Sequence, residues 1–229
     1  MLQQTQVERV IEKYPLFIRR FPTVTSLAKA PLSAILKAWQ GMGYNRRAVH
    51  LKRTAVDIVK LHKAKIPSNQ EQLDDLPGIG AATASSIRAF AYNEPCVFIE
   101  TNIRSVFIHH FFPGKKKISD RALLPFIRQA LDTDNPRRWY SALMDYGVYL
   151  KKEYSNPGRR SVHHKPQKSF KGSSRQVRGK IIRLLTERGR IRIGKLGFLC
   201  GCDRFKIGTL LKSLEKEGLV RLKNETASI

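Results

Sequence analysis

The feature that most constrains the fold is a short turn between two helix-forming segments, Leu76-Pro77-Gly78-Ile79-Gly80. Pro77 ends the preceding helical stretch, and the two glycines free the backbone dihedrals between the segments. Residues 81–91 contain no Gly or Pro and place apolar side chains at helical spacing. Because the glycines have no side chain, a phosphate could approach the N–H groups at the second helix's N-terminus, where the dipole favours an anion. The pattern predicts a helix-hairpin-helix, although an ordinary αα corner without a ligand remains an alternative.

The remainder of the N-terminal part is also helical in its periodicity. Apolar residues recur at helical spacing through most of residues 3–153, and strand-like alternation is absent. An apolar run ends in the single acid Glu100, and a further helix is expected after it, capped by Thr101 or Asn102.

Composition divides the chain near Tyr154. Residues 155–175 are rich in Pro, Gly, Ser, Lys and Arg, which is typical of a linker. Residues 176–229 then predict three short helices, the third capped by Asp203, and a terminal hairpin, which together form a winged-helix pattern. We therefore predict a mainly α protein with a helix-hairpin-helix domain over 1–154, a basic linker over 155–175 and a small winged-helix domain over 176–229.

Charge indicates the kind of partner. The chain has a net charge of +25 and a pI near 10.4, so a polyanion such as double-stranded DNA is the expected partner. No apolar run reaches the roughly 18 residues of a membrane-spanning helix, and no signal-peptide pattern opens the chain. We expect a monomeric cytoplasmic, nucleoid-associated protein without membrane attachment. Whether the linker is a tether or tracks phosphates, and whether the winged helix binds DNA or a protein, stays open.

Several motifs resemble one known family in their order along residues 1–150. The motifs are Met1-Leu2-Gln3-Gln4-Thr5-Gln6-Val7, Gln40-Gly41-Met42-Gly43-Tyr44, the hairpin at 76–80, Glu100-Thr101-Asn102-Ile103-Arg104 and Met144-Asp145-Tyr146-Gly147. They resemble those of MutY-type adenine DNA glycosylases, members of the helix-hairpin-helix superfamily that includes endonuclease III. Together they are more specific than any one of them alone, and the resemblance implies the glycosylase fold.

The resemblance also implies roles for individual residues. Glu100 stands where the family has its catalytic aspartate, and Asn102 matches a helper residue. Gln4 matches a wedge that enters the base stack when the target base is flipped out, and Tyr44 matches an intercalating aromatic. The alternatives are an exposed polar group for Gln4 and a packing aromatic for Tyr44. The full set of expected DNA-binding residues is Gln3, Gln4, Tyr44, Arg46, Pro77, Gly78, Ile79, Gly80 and Thr83.

This sequence also departs from the family. Glu100 is one methylene longer than aspartate, and a displacement on that scale can lower a rate by on the order of 100-fold. The family's active-site glutamate would lie before Met1, so we expect either a truncated N-terminus or a crippled activity. Nothing resembles the family's C-terminal domain that reads 8-oxoguanine, and Ala82 replaces the lysine that bifunctional relatives use as nucleophile.

Cysteine usage bears on the cofactor. The chain has Cys96, Cys200 and Cys202 only, so the four iron–sulfur ligands expected after Gly147 are missing. We expect no cofactor and no metal, apart from a possible site for a monovalent cation at the hairpin.

These observations predict a monofunctional base-excision DNA N-glycosylase that releases a mispaired base, with adenine as the first expectation. The alternatives are a uracil or thymine mismatch glycosylase, and a DNA-binding protein that has lost the chemistry.

Overall fold

The computed structural model describes residues 1–166 and 169–229, so Gln167 and Lys168 of the predicted linker lie outside the described residues. The first four helices are α1 Val7–Arg20, α2 Val24–Lys29, α3 Leu32–Ala38 and α4 Arg46–Leu61. The next five are α5 Gln70–Asp74, α6 Ala81–Tyr92, α7 Thr101–Phe111, α8 Asp120–Ala130 and α9 Pro136–Glu153. A 3-10 helix at Pro157–Arg160 precedes α10 Ser174–Arg188, α11 Ile193–Cys200 and α12 Arg204–Lys216. The mainly α class is confirmed.

Contacts group the chain into two compact units. One joins Met1–Ile66 with Lys168–Ile229, and the other is Pro67–Gln167. These limits differ from the predicted boundaries after residues 154 and 175, because α10 packs against α3 within the first unit. Boundaries of independently folding domains therefore stay a prediction.

The first unit is built around one apolar core shared by N-terminal and C-terminal helices. Ile35 and Leu36 of α3 are fully or almost fully buried, as are Ile181 and Leu185 of α10. The Gln40 side-chain amide donates to the Thr186 hydroxyl at 2.7 Å, so a polar contact accompanies the apolar one.

The C-terminal part of this unit contains a small sheet. Its strands are β1 Ile191–Arg192, β2 Arg221–Lys223 and β3 Thr226–Ser228, arranged β1-β3-β2 with both pairings antiparallel. The terminal hairpin was expected, whereas β1 was missed because two residues give no alternation pattern. The Asp203 carboxylate accepts the Lys206 N–H at 2.7 Å, which is the N-cap of α12 that the sequence predicts.

The second unit packs around α7 and α9. Ile103, Phe107 and Ile108 of α7 are buried against Tyr140 and Leu150 of α9. Helix α9 approaches α7 so closely at Gly147 that a Cβ there would lie 2.6 Å from the Asn102 Cβ. This contact fixes the start of α7, where Glu100 and Asn102 stand.

The start of the predicted linker folds against the second unit's own helix α7. Pro157 and Gly158 are buried in the 3-10 helix. The Arg160 guanidinium donates to the carbonyls of Phe112 at 2.5 Å and Ile108 at 3.0 Å. A basic residue here therefore satisfies the carbonyls at the C-terminal end of α7, and composition alone cannot reveal that use.

Candidate functional site

The hairpin lies between α5 and α6, as its sequence predicts. Gly78 has φ +80°, a left-handed conformation that favours glycine, and the Ile79 N–H donates to the Leu76 carbonyl at 3.0 Å. Both Gly78 and Gly80 are exposed, whereas Leu76 anchors the turn in the interior. The sequence therefore places the turn and its conformation correctly.

The N-terminus of α6 is open. Gly80 is the N-cap and supplies no side-chain cap, and the first two N–H groups of the helix, on Ala81 and Ala82, have no acceptor among the described residues. A Cβ on Gly80 would meet nothing within 4 Å, so packing inside the chain does not require a glycine. The open space beside Gly80 would let an anion reach these two N–H groups. We call the hairpin at 76–80 together with the N–H groups of Ala81 and Ala82 the phosphate grip. Pro77, Ile79 and Thr83 are half-buried around this grip.

A polar residue that sequence reasoning missed connects the two helices of the hairpin. The Gln70 amide donates to the Ala81 carbonyl at 3.3 Å, and its oxygen accepts from Ser85 at 3.3 Å and Arg88 at 3.4 Å. Gln70 carries no motif, so only the structure shows that it holds the first turn of α6 against α5.

Glu100 itself is the N-cap of α7, which corrects the expected cap at Thr101 or Asn102. Its Oε1 accepts the N–H groups of Asn102 and, at 3.0 Å, Ile103. The physical reason is that a carboxylate at a helix N-terminus satisfies orphan N–H groups and faces the positive end of the dipole. No described residue donates a hydrogen bond to Oε2, so one oxygen is fixed and the other is available.

Asn102 is held from the other side by Lys151 of α9. The Lys151 ammonium donates to the Asn102 Oδ1 at 2.5 Å, and the Asn102 amide lies 3.7 Å from the Met144 sulfur. Burial lowers the pKa of Lys151, the Glu100 charge raises it and Arg104 lowers it, with a net lowering. Lys151 was missed because a lysine near a helix end has no distinctive pattern in the sequence.

In the first unit, the expected DNA-contact residues share one neighbourhood. Gln4 and Tyr44 are both exposed and both have left-handed backbones, with φ of 59° and 47°. The Arg47 guanidinium donates to Thr5 Oγ1 at 2.7 Å and to the Met42 carbonyl at 3.1 Å. It also lies 5.7 Å from the Tyr44 ring centroid. Arg47 thus connects the segment that carries Gln4 to the loop that carries Tyr44.

The sequence analysis did not identify Arg47, although it connects the segment of Gln4 to the loop of Tyr44, both of which were predicted to contact DNA. Burial lowers its pKa, while Tyr44 raises it. Its Nε is buried without a hydrogen-bond partner, so the guanidinium is held at some cost in desolvation. Of the other expected contacts, Gln3 and Arg46 are exposed, and Arg46 opens helix α4.

The residues present do not fit an iron–sulfur cluster. Cys96 is buried in the second unit, whereas Cys200 and Cys202 are half-buried in the first. Over residues 1–166 and 169–229, no three His, Cys, Asp or Glu side chains gather as ligands of one metal would. Across the same residues, none of the helices combines the length and apolarity needed to cross a membrane.

Comparison with known sequences identifies the family. Residues 1–127 match the HhH-GPD superfamily base excision DNA repair protein model. The adenine DNA glycosylase of Buchnera aphidicola subsp. Baizongia pistaciae is 34% identical over 151 residues, which cover 66% of this chain and 43% of that protein. The adenine DNA glycosylase of Mycolicibacterium smegmatis is 31% identical over 203 residues, covering 82% of this chain and 69% of that protein. The chain spans less than half the length of the first of these relatives.

Solved structures agree on the fold. A thermostable thymine-DNA glycosylase has a TM-score of 0.55 at 22% identity, covering 64% of this chain and 69% of that one. A trapped endonuclease III–DNA covalent intermediate has a TM-score of 0.51 at 15% identity, covering 74% and 73%. The hairpin, the open N-terminus of α6 and the capped start of α7 thus occur in a chain that belongs to the HhH-GPD superfamily of base excision DNA repair proteins.

Proposed function

We propose that this chain is a base-excision DNA N-glycosylase that releases a mispaired base, adenine first, from duplex DNA. The observation that supports this most directly is the state of Glu100. Its carboxylate is fixed by two backbone N–H groups at the start of α7, in the same compact unit as the phosphate grip. The adenine DNA glycosylases to which the chain is similar supply the choice of base.

The proposed chemistry follows from the positive charge that develops on the sugar as the N-glycosidic bond breaks. A carboxylate stabilises an oxocarbenium-like transition state most effectively when it is already oriented. Oε1 of Glu100 is held by α7, which leaves Oε2 to face the sugar or to orient the attacking water. Asn102, held by Lys151, borders the same carboxylate.

The expected contacts divide into two tasks. Gly78 and Gly80, with Pro77, Ile79 and Thr83, grip a phosphate through the first N–H groups of α6. Gln3, Gln4, Tyr44 and Arg46 fill the stack and contact the strand when the target nucleotide leaves it. Ala82 offers no amine near the grip, so release of the base without strand cleavage is expected.

Single-turnover base release would test this proposal. The substrates are duplexes with adenine opposite guanine or 8-oxoguanine, uracil or thymine opposite guanine, and a fully paired control. Glu100→Gln keeps an oxygen that can cap α7 but removes the charge, so the rate should fall by about 100-fold or more while affinity stays within a few-fold. Glu153→Gln, an exposed acid on α9, is the matched control.

The outcomes separate the alternatives. Release of uracil or thymine in preference to adenine would replace the proposed base. Tight duplex binding without any release would favour a DNA-binding protein that lacks the chemistry, and equal rates for Glu100→Gln and the parent would remove Glu100 from the mechanism. Trapping of a covalent complex by borohydride would show that a lysine acts as nucleophile.

A further inference from the structure

A cleft of about 370 Å³ lies between α4 and α12, both within the first unit. We call it the α4–α12 cleft. Its lining residues are Arg46, His50 and Arg53 from α4 and Ser213, Lys216 and Glu217 from α12 and its C-cap. None of these residues except Arg46 was singled out from the sequence.

The cleft is cationic because its single acid is already paired. Glu217 accepts from the Arg178 guanidinium at 2.6 Å and from the Ser213 hydroxyl at 3.3 Å. Arg46, Arg53 and Lys216 have no acidic partner within 4.0 Å among the described residues. Three cations therefore line a concave surface on which no carboxylate is left to neutralise them.

The two helices meet closely at the cleft. The Arg46 Nε–H donates a hydrogen bond to His50 Nε2 at 3.4 Å, within α4. A Cβ on Gly218, whose φ is +74°, would lie 2.8 Å from the Arg53 guanidinium, so the end of α12 comes very near α4. Burial lowers the pKa of His50 first, and Arg46 and Arg53 lower it further. A bound anion would be attracted by the cations of both helices and would favour the protonated form of His50.

We infer that the α4–α12 cleft binds an internucleotide phosphate of the DNA strand. The identity of the partner as DNA rests on the proposed function; the need for an anion rests on the cleft alone. Guanidinium forks and an ammonium suit phosphate oxygens, and all three groups are exposed where a phosphate could reach them. Arg46 opens α4 two residues after Tyr44, so a strand that reaches Tyr44 continues to the cleft.

This assignment gives α12 a specific part in binding. Ser213 and Lys216 lie in its C-terminal half, whereas recognition helices of the helix-turn-helix type read bases with their N-terminal residues. The C-terminal segment would therefore extend the phosphate track of the N-terminal helices instead of reading sequence in a groove.

Salt-dependent binding to a duplex would test the inference, with all proteins carrying Glu100→Gln so that base release plays no part. Removing both Arg53 and Lys216 as Gln should lower the slope of log K against log salt by about 0.9, the value for one phosphate. Each single variant should lower it by less, since the other cation still faces the same phosphate. Arg128→Gln, an exposed charge on α8, is the control and should leave the slope unchanged.

A pH series supplies a second measurement. A phosphate would raise the lowered pKa of His50, so binding takes up a proton and affinity should rise as the pH falls through the pKa that His50 has in the complex. The groups that face His50 are Arg46 and Arg53 of α4 and Lys216 and Glu217 of α12, with Arg178 behind Glu217. His50→Asn should flatten this rise relative to the Glu100→Gln parent.

An unchanged salt slope in the Arg53 and Lys216 double variant, with a normal thermal melt, would overturn the inference. If the salt slope were unchanged but the double variant no longer bound an acidic protein that the parent binds, the cleft would instead be a site for a protein partner. A duplex that binds normally but is never processed by the parent chain would contradict the proposed function and leave the cleft intact.

Discussion

The residues proposed to act on DNA are held in different ways in the two units of this protein. In Pro67–Gln167, the expected catalytic residues are immobilised from within: Glu100 by the backbone of α7, and Asn102 by Lys151. In the unit that contains Met1–Ile66, Gln4 and Tyr44 are exposed and stand on left-handed backbone, supported from behind by Arg47.

The comparison indicates that the proposed catalytic residues need fixed side chains, whereas the proposed DNA-contact residues need only a fixed backbone. A carboxylate that stabilises a transition state gains most when its geometry is set before substrate arrives. A side chain that enters the base stack must instead be able to change its contacts when the base leaves, so it is the backbone that needs to be fixed. Variants that loosen α7 should therefore change the rate, whereas variants behind Tyr44 should change the affinity.

Gly147→Ala should produce the largest effect, since it disturbs the packing that fixes α7. The new Cβ would lie 2.6 Å from the Asn102 Cβ and 2.7 Å from the Asn102 carbonyl oxygen. The clashing atoms include the Asn102 backbone, which cannot move as a side chain can, so α9 should shift as a whole. The free energy of unfolding should then fall by about 1–3 kcal/mol, and base release should be largely lost. Thermal denaturation and single-turnover kinetics would measure both.

The matched control is Gly179→Ala in α10, where a Cβ meets nothing within 4 Å. This variant should gain about 0.5–1 kcal/mol, because alanine is the better helix former. If both variants behaved alike, the contact between α7 and α9 would not be what holds the start of α7.

Lys151→Met should come second, with a fall of about 10–100-fold in the base-release rate at unchanged duplex affinity. The variant retains the apolar stem but removes the donor to Asn102 and the positive charge beside Glu100. Lys152→Met, the exposed neighbour, should be neutral. Lys151 acts here as a positioning residue, so its loss should also shift the acidic limb of the pH–rate profile; a lower rate without that shift would indicate a purely structural part.

Local signals explain how much of the fold and site could be predicted. The hairpin, the mainly α class, the cap at Asp203 and the family resemblance are confirmed, because each depends on residues close together in sequence. The roles of Glu100, Asn102 and the DNA-contact residues stay predictions. The parts that were missed depend on partners far along the chain: Lys151 lies 49 residues from Asn102, and Arg47 lies 42 from Thr5.

The cap of α7 shows a second limit of sequence reasoning. Thr and Asn are commoner caps than Glu, so propensity favoured Thr101 or Asn102. In the structure the N-cap is Glu100, one residue before Thr101, so the acid expected to do chemistry also caps the start of α7. Likewise, composition left the use of the linker's basic residues open between a tether and phosphate tracking, and Arg160 takes neither part in the structure, since it donates to carbonyls of α7 and its C-cap.

Arg47→Met should have a smaller effect, on binding alone. It removes the donors to Thr5 and Met42 and the guanidinium that lies 5.3 Å from the Trp39 ring centroid, so the segment with Gln4 and the loop with Tyr44 lose their common support. Charged hydrogen bonds are worth about 1.5–3 kcal/mol, so affinity for a mispaired duplex should fall about tenfold or more. Lys60→Met on α4 is the control. A lower base-release rate for Arg47→Met at saturating protein would contradict the assignment of affinity to the first unit and of rate to the second.

The smallest expected effect concerns the pH dependence of the second unit's stability. Burial alone would raise the pKa of Asp120, but its hydrogen bond and charge interaction with Arg104, at 2.7 Å, lower it overall. A lowered folded-state pKa means that the carboxylate stabilises the fold above its unfolded value near 3.8 and loses this contribution as the pH falls through the folded value. Asp120→Asn should therefore cost about 1 kcal/mol at pH 7, and the gap to the parent should begin to narrow below pH ~4 and close as the pH falls through the lowered folded-state pKa. Urea denaturation of both proteins from pH 7 to 3 would measure it, with Asp57→Asn on α4, whose carboxylate has no resolved ion pair among the described residues, as the control. If the difference in unfolding free energy persisted in acid, Asp120 would stabilise α8 through contacts other than its charge. The ion pair between Arg104 of α7 and Asp120 of α8 would then contribute little to the stability of the second unit.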